Sequence, residues 1–150
     1  MSSRKIKEII HQQSVLCVDE STLVQHAARL MSEQNVGSIM ITHHGVLTGI
    51  FTERDLLNRV VAANRDPGNT KLAEVMTRNP QTINADRLFS YAMHLMYEGG
   101  FRHLPVVDPT PDGQPAKPIG IISIRDALGL EMSTFEAELE WRNALTESMM

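Results

Sequence analysis

The chain is an internal duplication, and that constrains its fold more than any other property. Ser21–Ile41 set against Asp86–Val106, an offset of 65, pairs Leu23/Leu88, Ala27/Ala92, Leu30/Leu95, Met31/Met96 and Glu33/Glu98. These are five identities in twenty-one pairs, where unrelated pairing at roughly 6% gives about one. Val36/Phe101, Ile39/Leu104 and Ile41/Val106 keep apolar character. A second block, Gly49–Leu57 against Gly120–Leu128 at an offset of 71, is identical at five of nine positions. The six extra residues fall in the Pro-, Gly- and Asp-rich stretch Asp108–Pro118, where a surface loop tolerates insertion.

Each copy carries the same pattern of elements. A short strand, near Val15–Val18 or Gln81–Ile83, precedes a helix whose apolar residues recur at spacings of three and four: Leu23, Ala27, Leu30, Met31, or Leu88, Ala92, Leu95, Met96. The helix stops near Asn35 or at Gly99-Gly100. Two strands follow, Ser38–Thr42 and Leu47–Phe51 or His103–Val107 and Ile119–Ile122, and then a last helix. The unit is β-α-β-β-α. Its two helices cover one face of its sheet, so a single copy leaves an apolar face that two copies bury against each other. The predicted fold class is α/β (α+β): two pseudosymmetric units packed sheet to sheet. The expected divisions are an N-terminal helix over 1–13, unit 1 over 14–64, a linker and short turn over 65–79, unit 2 over 80–130, and a C-terminal helix over 131–150.

Ile6, Ile9 and Ile10 share one face of the first helix. At the other end Leu128, Met132, Phe135 and Leu139 recur at spacings of four, three and four, with Arg142 and Leu145 continuing the stripe. Either these helices lie on the molecule's own core, or they form a coiled-coil-like seam with a second subunit or partner.

Composition bounds the function. Of 150 residues, 42% are apolar and 21% charged, and 14 basic against 18 acidic residues give a net charge of -4, the opposite of the basic footprint of a nucleic-acid binder. The longest apolar runs, such as Ile119–Ile122, fall far short of the 18 to 20 residues of a membrane span. Met1–Ile10 has no apolar secretory core, and the single Cys17 excludes a disulfide scaffold or a Cys-based metal site. A cytoplasmic protein without nucleic-acid or membrane partners is expected. His43-His44-Gly45 reads as an exposed turn, and no metal-ligand motif, phosphate-binding glycine loop or nucleophile motif is present; the expectation is no metal and no enzyme activity.

The chemistry-bearing features are the two matched corners, Thr52-Glu53-Arg54-Asp55 and Ser123-Ile124-Arg125-Asp126. Each places a hydroxyl where a strand turns into a helix and an acid three residues later. The plain structural reading is a capping box, with the acid complementing the helix dipole. The same geometry suits a nucleotide: helix N–H groups and a hydroxyl face a phosphate, the carboxylate accepts from ribose hydroxyls, and Arg54 and Arg125 supply charge-assisted contacts.

The pattern Gly-apolar-x-Thr/Ser-x-x-Asp closing a strand-strand-helix unit, with Arg102-His103-Leu104-Pro105-Val106-Val107-Asp108 before the second corner, resembles a tandem pair of CBS (cystathionine beta-synthase) domains, a Bateman module. The resemblance covers about Ser14–Leu130. It implies a free-standing regulatory module that binds an adenosine ligand (AMP, ADP, ATP, NAD or S-adenosylmethionine) between the copies, as an energy or metabolite sensor acting on an unknown protein target, and a homodimer. It further implies that Asp55 and Asp126 hold ribose, Thr52 and Ser123 contact phosphate, Arg102 and His103 approach the phosphates, and Thr82 with Ile83 lines the base pocket. The first copy has Gly37 and Ser38 in place of Arg102 and His103, so unequal sites are expected, the Asp126 site being the better equipped. A ligand-free interaction scaffold is the alternative.

Overall fold

The computed structural model describes residues 4–108, 110 and 116–149, apart from the side chains of Leu130 and Glu131. In chain order these form α1 (Ile6–Ile10), β1 (Cys17–Asp19), α2 (Val24–Gln34), β2 (Ser38–His43), β3 (Val46–Thr52), α3 (Glu53–Asp55) continuing as a π-helix over Leu56–Val61, α4 (Leu72–Val75), β4 (Thr77–Arg78), β5 (Ile83–Asn84), α5 (Phe89–Gly99), β6 (His103–Val107), β7 (Pro118–Ser123) and α6 (Ile124–Met149). β1, β2, β3 and β4 form one sheet in that order, and β5, β6 and β7 the other. In both sheets the first pairing is parallel and the next antiparallel. This is the duplicated mixed α/β architecture that the sequence pattern predicts.

Local chemistry explains the boundaries. α2 ends at Asn35 and α5 at Gly100, both left-handed (φ 54° and 70°), returning the chain toward the following strand. His44 and Gly45, φ 52° and 80°, make the tight turn between β2 and β3, and both turn histidines are exposed. Two features carried no sequence signal: the π-helical turns after Asp55, and β4, which pairs Thr77 with Ile50.

Side-chain alternation along the strands sorts the interior into layers. Ile39, Ile41 and Phe51 face the helices of unit 1 in one core; Leu104, Val106 and Ile122 do so in the core of unit 2. On the opposite faces Met40, Ile50 and Pro105 are also buried, although they belong to neither helix-facing core. The sheets therefore cover each other, and the Leu47 N–H donates across the units to the Ala116 carbonyl at 3.0 Å.

The short helices are crossed. α1 precedes unit 1 in sequence but packs on unit 2, where Ile6 (0% exposed) and Ile10 join Phe89, Met96 and Leu104. α4 precedes unit 2 but packs on unit 1, where Leu72 and Val75 join Val24, Phe51 and Val60. The two dockings match bond for bond. Ile6 and Lys7 N–H donate to Arg87 and Ala85 carbonyls at 2.9 Å each, while Leu72 and Ala73 N–H donate to Thr22 and Glu20 at 2.8 and 2.9 Å. In each, a glutamate caps the helix start: Glu8 accepts from Lys5 N–H at 3.1 Å and Glu74 from Lys71 N–H at 2.8 Å. Lys5–Ile10 is thus the counterpart of Lys71–Met76, a third repeated block with Lys and Glu retained.

α1 therefore lies on the molecule's own core, whereas α6 does not beyond its first turns. Ile124 and Ala127 pack on the second core, but Leu128, Met132, Phe135, Leu139 and Leu145 are exposed. The own-core alternative holds for the first helix and fails for the last.

Crossing makes a directional prediction. Ile6→Ala removes a fully buried side chain and is expected to cost about 2–5 kcal/mol. Hydrogen exchange should show lost protection in β5–β7 of unit 2 while β1–β3, nearer in sequence, keep theirs; the reverse pattern would contradict the docking.

Candidate functional site

Both hydroxyl-carboxylate corners open on one cleft of about 1320 Å³ between the units. Its lining includes Thr52, Arg54 and Asp55 from unit 1 and Arg102, His103, Ser123, Arg125 and Asp126 from unit 2. Met31, Met40, Ile50 and Ile121 supply apolar wall. Eight of the ten residues singled out from the sequence are thus brought together.

Thr82 and Ile83 are the exceptions, and their expected position needs correction. β5 pairs with β6 in the register Ile83↔Val106, which turns Ile83 into the second core at 4% exposure, and Thr82 does not line the cleft. The residues just before the strand, Pro80 and Gln81, line it instead. In the first unit Gln13–Leu16 holds the corresponding place.

The corners share a backbone plan. The Glu53 N–H donates to the Gly37 carbonyl and the Ile124 N–H to the Arg102 carbonyl, each at 3.0 Å. At the first corner Asp55 Oδ2 accepts from Thr52 N–H at 3.0 Å and Thr52 Oγ1 at 3.2 Å, and Asp55 N–H donates back to that hydroxyl at 3.2 Å. At the second, Asp126 Oδ2 accepts from Ser123 N–H at 2.7 Å and Ser123 Oγ at 3.3 Å. Both acids cap their helices, as the plain structural reading has it.

Their remaining oxygens differ. Asp55 Oδ1 accepts from Thr77 Oγ1 at 3.2 Å and lies 3.5 Å from Arg59 Nε, and Asp55 is only 7% exposed. Arg59 also donates to the Met76 carbonyl at 2.8 Å. Asp55 thereby ties the π-helix to α4 and β4. Asp126 is half-buried, and Oδ1 has no partner among the described residues. The i,i+4 spacing of Asp55 and Arg59 was visible in the sequence; Thr77, twenty-two residues away, was not.

The contrast continues around the corners. Among the described residues, the edge of β7 has no strand matching β4. The Gln13 side chain takes that place, donating to the Ile121 carbonyl at 2.8 Å and accepting from its N–H at 3.0 Å. Gly37 stands where unit 2 has Arg102: a Cβ there would meet Glu53 Oε1, the movable end of a flexible side chain, and lie 3.4 Å from His103 Nε2. Glu53 and His103 thus approach each other from opposite units. Burial, the largest influence, lowers the His103 pKa below its ordinary 6.5; Glu53 and Asp126 oppose that shift and Arg102 adds to it. The guanidinium groups of Arg54, Arg102 and Arg125 have no hydrogen-bonded or ion-paired partner among the described residues.

Other chemistry finds little purchase. Among the described residues no group of three or more His, Cys, Asp or Glu could hold a metal. Cys17 is half-buried and burial raises its thiol pKa, the reverse of what an activated nucleophile needs. No helix of the described residues is long and apolar enough to cross a membrane.

The depressed His103 pKa fixes a pH dependence. Below its ordinary 6.5 the unfolded chain takes up a proton that the folded chain accepts only at lower pH, so the stability tied to the neutral ring is present above 6.5 and is lost as pH falls toward the folded value. Urea midpoints at pH 7.5 and 5.5 should fall less in His103→Gln than in the parent; equal falls would count against the buried neutral ring.

Comparison with known proteins agrees with the duplicated architecture. The family model for the CBS domain matches residues 6–62 and 72–133. The CBS domain-containing protein YhcV of Bacillus subtilis is 34% identical over 123 residues, covering 82% of this chain and 83% of YhcV. The CBS domain-containing protein CBSCBSPB2 of Arabidopsis thaliana is 33% identical over 135 residues, which are 89% of this chain but 24% of the plant protein. Among solved structures, a putative signal-transduction protein with CBS domains from Burkholderia ambifaria aligns with a TM-score of 0.76 at 29% identity, covering 87% of this chain and 95% of that one. The CBS domain pair of protein MJ0100, in complex with 5′-methylthioadenosine and S-adenosyl-L-methionine, also gives 0.76, at 23% identity and covering 89% and 99%. Two β-α-β-β-α units, two matched corners and two family matches lead to one conclusion: the chain belongs to the CBS domain family and carries two CBS domains in tandem.

Proposed function

We propose that the chain is a regulatory, non-catalytic module that takes an adenosine ligand in the inter-unit cleft and signals its presence to a protein partner. The second corner carries this reading: Asp126 keeps a carboxylate oxygen without a partner among the described residues beside the guanidiniums of Arg102 and Arg125 and the ring of His103. A ribose offers hydroxyl donors to that oxygen. A phosphate or carboxylate suits the start of the 26-residue α6, the Ser123 hydroxyl and the two arginines. The apolar wall of Met40, Ile50 and Ile121 suits an adenine, and Pro80 and Gln81 replace Thr82 and Ile83 beside it. The cleft volume exceeds the usual range of about 300–1,000 Å³ for small-molecule pockets, so a nucleoside-sized ligand fits.

At the first corner Thr52 and Arg54 face the same cleft, but Asp55 already serves Thr77 and Arg59. A ligand there would compete with the fold for the carboxylate, so the Asp126 corner is the principal site. AMP, ADP, ATP, NAD and S-adenosylmethionine share the ribose and adenine this site would read. The protein bound to 5′-methylthioadenosine and S-adenosyl-L-methionine has the same fold. We place the module in the cytoplasm as a homodimer. Leu57 and Val61 of unit 1 match Leu128 and Met132 of unit 2, and all four are exposed, so the apolar face is itself duplicated and fits a second copy. Binding biases the angle between units only by as much as the ligand prefers one arrangement.

The satisfied Asp55 favours a second reading, a ligand-free scaffold in which the corners are caps alone. Thermal unfolding with AMP, ATP, NAD and S-adenosylmethionine separates the two. A ligand at about a hundredfold over its Kd stabilises by roughly 2.7 kcal/mol, several degrees at about 2–4 °C per kcal/mol. We expect a shift with at least one of the four that is lost in Asp126→Ala and kept in Asp55→Ala, whose unliganded Tm falls. No shift from any of them would favour the scaffold.

A further inference from the structure

Among the described residues, the apolar side chains of α6 from Phe135 onward join neither core. The family match ends at residue 133, while the helix continues to Met149, an overhang of roughly 24 Å at 1.5 Å per residue. An isolated helix of that length is marginal in water, since most helical stability comes from packing an apolar face. Here the apolar face is bare: Phe135 is 54% exposed and Met149 86%, with Leu139 and Leu145 also exposed, while Trp141, 66% exposed, lies toward the other side of the helix. Beyond the Leu128 and Met132 face, Phe135, Leu139, Leu145 and Met149 present on the order of 400 Å², the size of the largest apolar patch on a typical monomer, which is often functional.

Charge selects the occupant. From Ser133 to Met149 the helix carries Glu136, Glu138, Glu140 and Glu147 against a single base, Arg142. At about 100° per residue, Phe135, Leu139 and Arg142 make one seam, with Glu136 and Glu147 on one flank and Glu138 on the other. A second copy laid along this seam would meet only like charges at the flanks, and in parallel register would set Arg142 against itself; such pairings disfavour association. The last turn contains no base, so the negative end of the helix dipole is also uncompensated. An anionic membrane surface is disfavoured by the same acids.

We propose that residues 134–149 of α6 form a docking helix for a basic amphipathic helix of another protein, its apolar stripe on Phe135 and Leu139 and its Lys or Arg flanks against Glu136, Glu138 and Glu147. The domain pair thereby holds its partner outside the ligand cleft, and the surface does not depend on which ligand that cleft takes.

The test uses the full chain and two synthetic four-heptad helices with the same Ile/Leu seam, one flanked by Lys and one by Glu, titrated by fluorescence of Trp141, the chain's single tryptophan. The Lys-flanked helix should bind, more weakly as salt rises, and the Glu-flanked helix should bind at least about tenfold more weakly. Leu139→Glu should lose binding. The triple variant Glu136→Lys, Glu138→Lys, Glu147→Lys should exchange the preference, which a merely unfolded overhang cannot do. Light scattering should give the same mass for the parent chain and Leu139→Glu. Failure of the Lys-flanked helix to bind, equal binding of both helices, or a halved mass for Leu139→Glu, which would show a second copy on the seam, overturns the proposal.

Discussion

Neither half of this molecule completes its own core. α1 supplies Ile6 and Ile10 to the unit that follows much later in the chain, and α4 supplies Leu72 and Val75 to the unit that has just ended. Fully buried aliphatic side chains are worth about 1.5–3 kcal/mol each, so detaching either helix takes a large share of the few kcal/mol that keep a domain folded. The exchange locks two locally folded units into one body. The cleft inherits its definition from that lock, since its walls come from both sheets and its corners from both last helices.

Duplication supplies two equivalent corners, and divergence around them has made their acids unequal. Both close on the same hydroxyl-to-carboxylate box. In unit 1 the strand β4 and the i,i+4 arginine then consume the rest of Asp55. In unit 2 a glutamine side chain stands in for β4 on the outer strand, and one Asp126 oxygen has no partner among the described residues. Gly37 in place of an arginine has a chemical consequence: the first corner lacks the guanidinium that Arg102 brings to the second, and the Glu53 carboxylate lies beside the glycine instead.

What was legible in the sequence follows from what repeats. The strand and helix order, the two corners and the paired stripes appear twice, so each copy corroborates the other. The crossing was illegible because Lys5–Ile10 and Lys71–Met76 share only Lys and Glu, and spacing along a chain does not say on which unit a helix lands. Thr82 and Ile83 were placed one step too far along: whether a residue at a strand's start faces cleft or core depends on the register Ile83↔Val106, which only pairing determines. Thr77 reaches Asp55 through a strand of two residues, too short to leave a pattern. The apolar stripe of α6 was plain in the sequence, but its exposure was not, because a helix that covers a core and one that awaits a partner have the same periodicity.

The central claim is that one adenosine ligand bridges the two units at the Asp126 corner. Amide hydrogen exchange of the full chain, with and without saturating nucleotide, tests it most directly. The account requires new protection at Arg102–His103 and Ser123–Asp126 in unit 2, together with the facing cleft wall around Met40 and Ile50 in unit 1. Protection confined to one unit, or lying wholly outside the cleft, would contradict it.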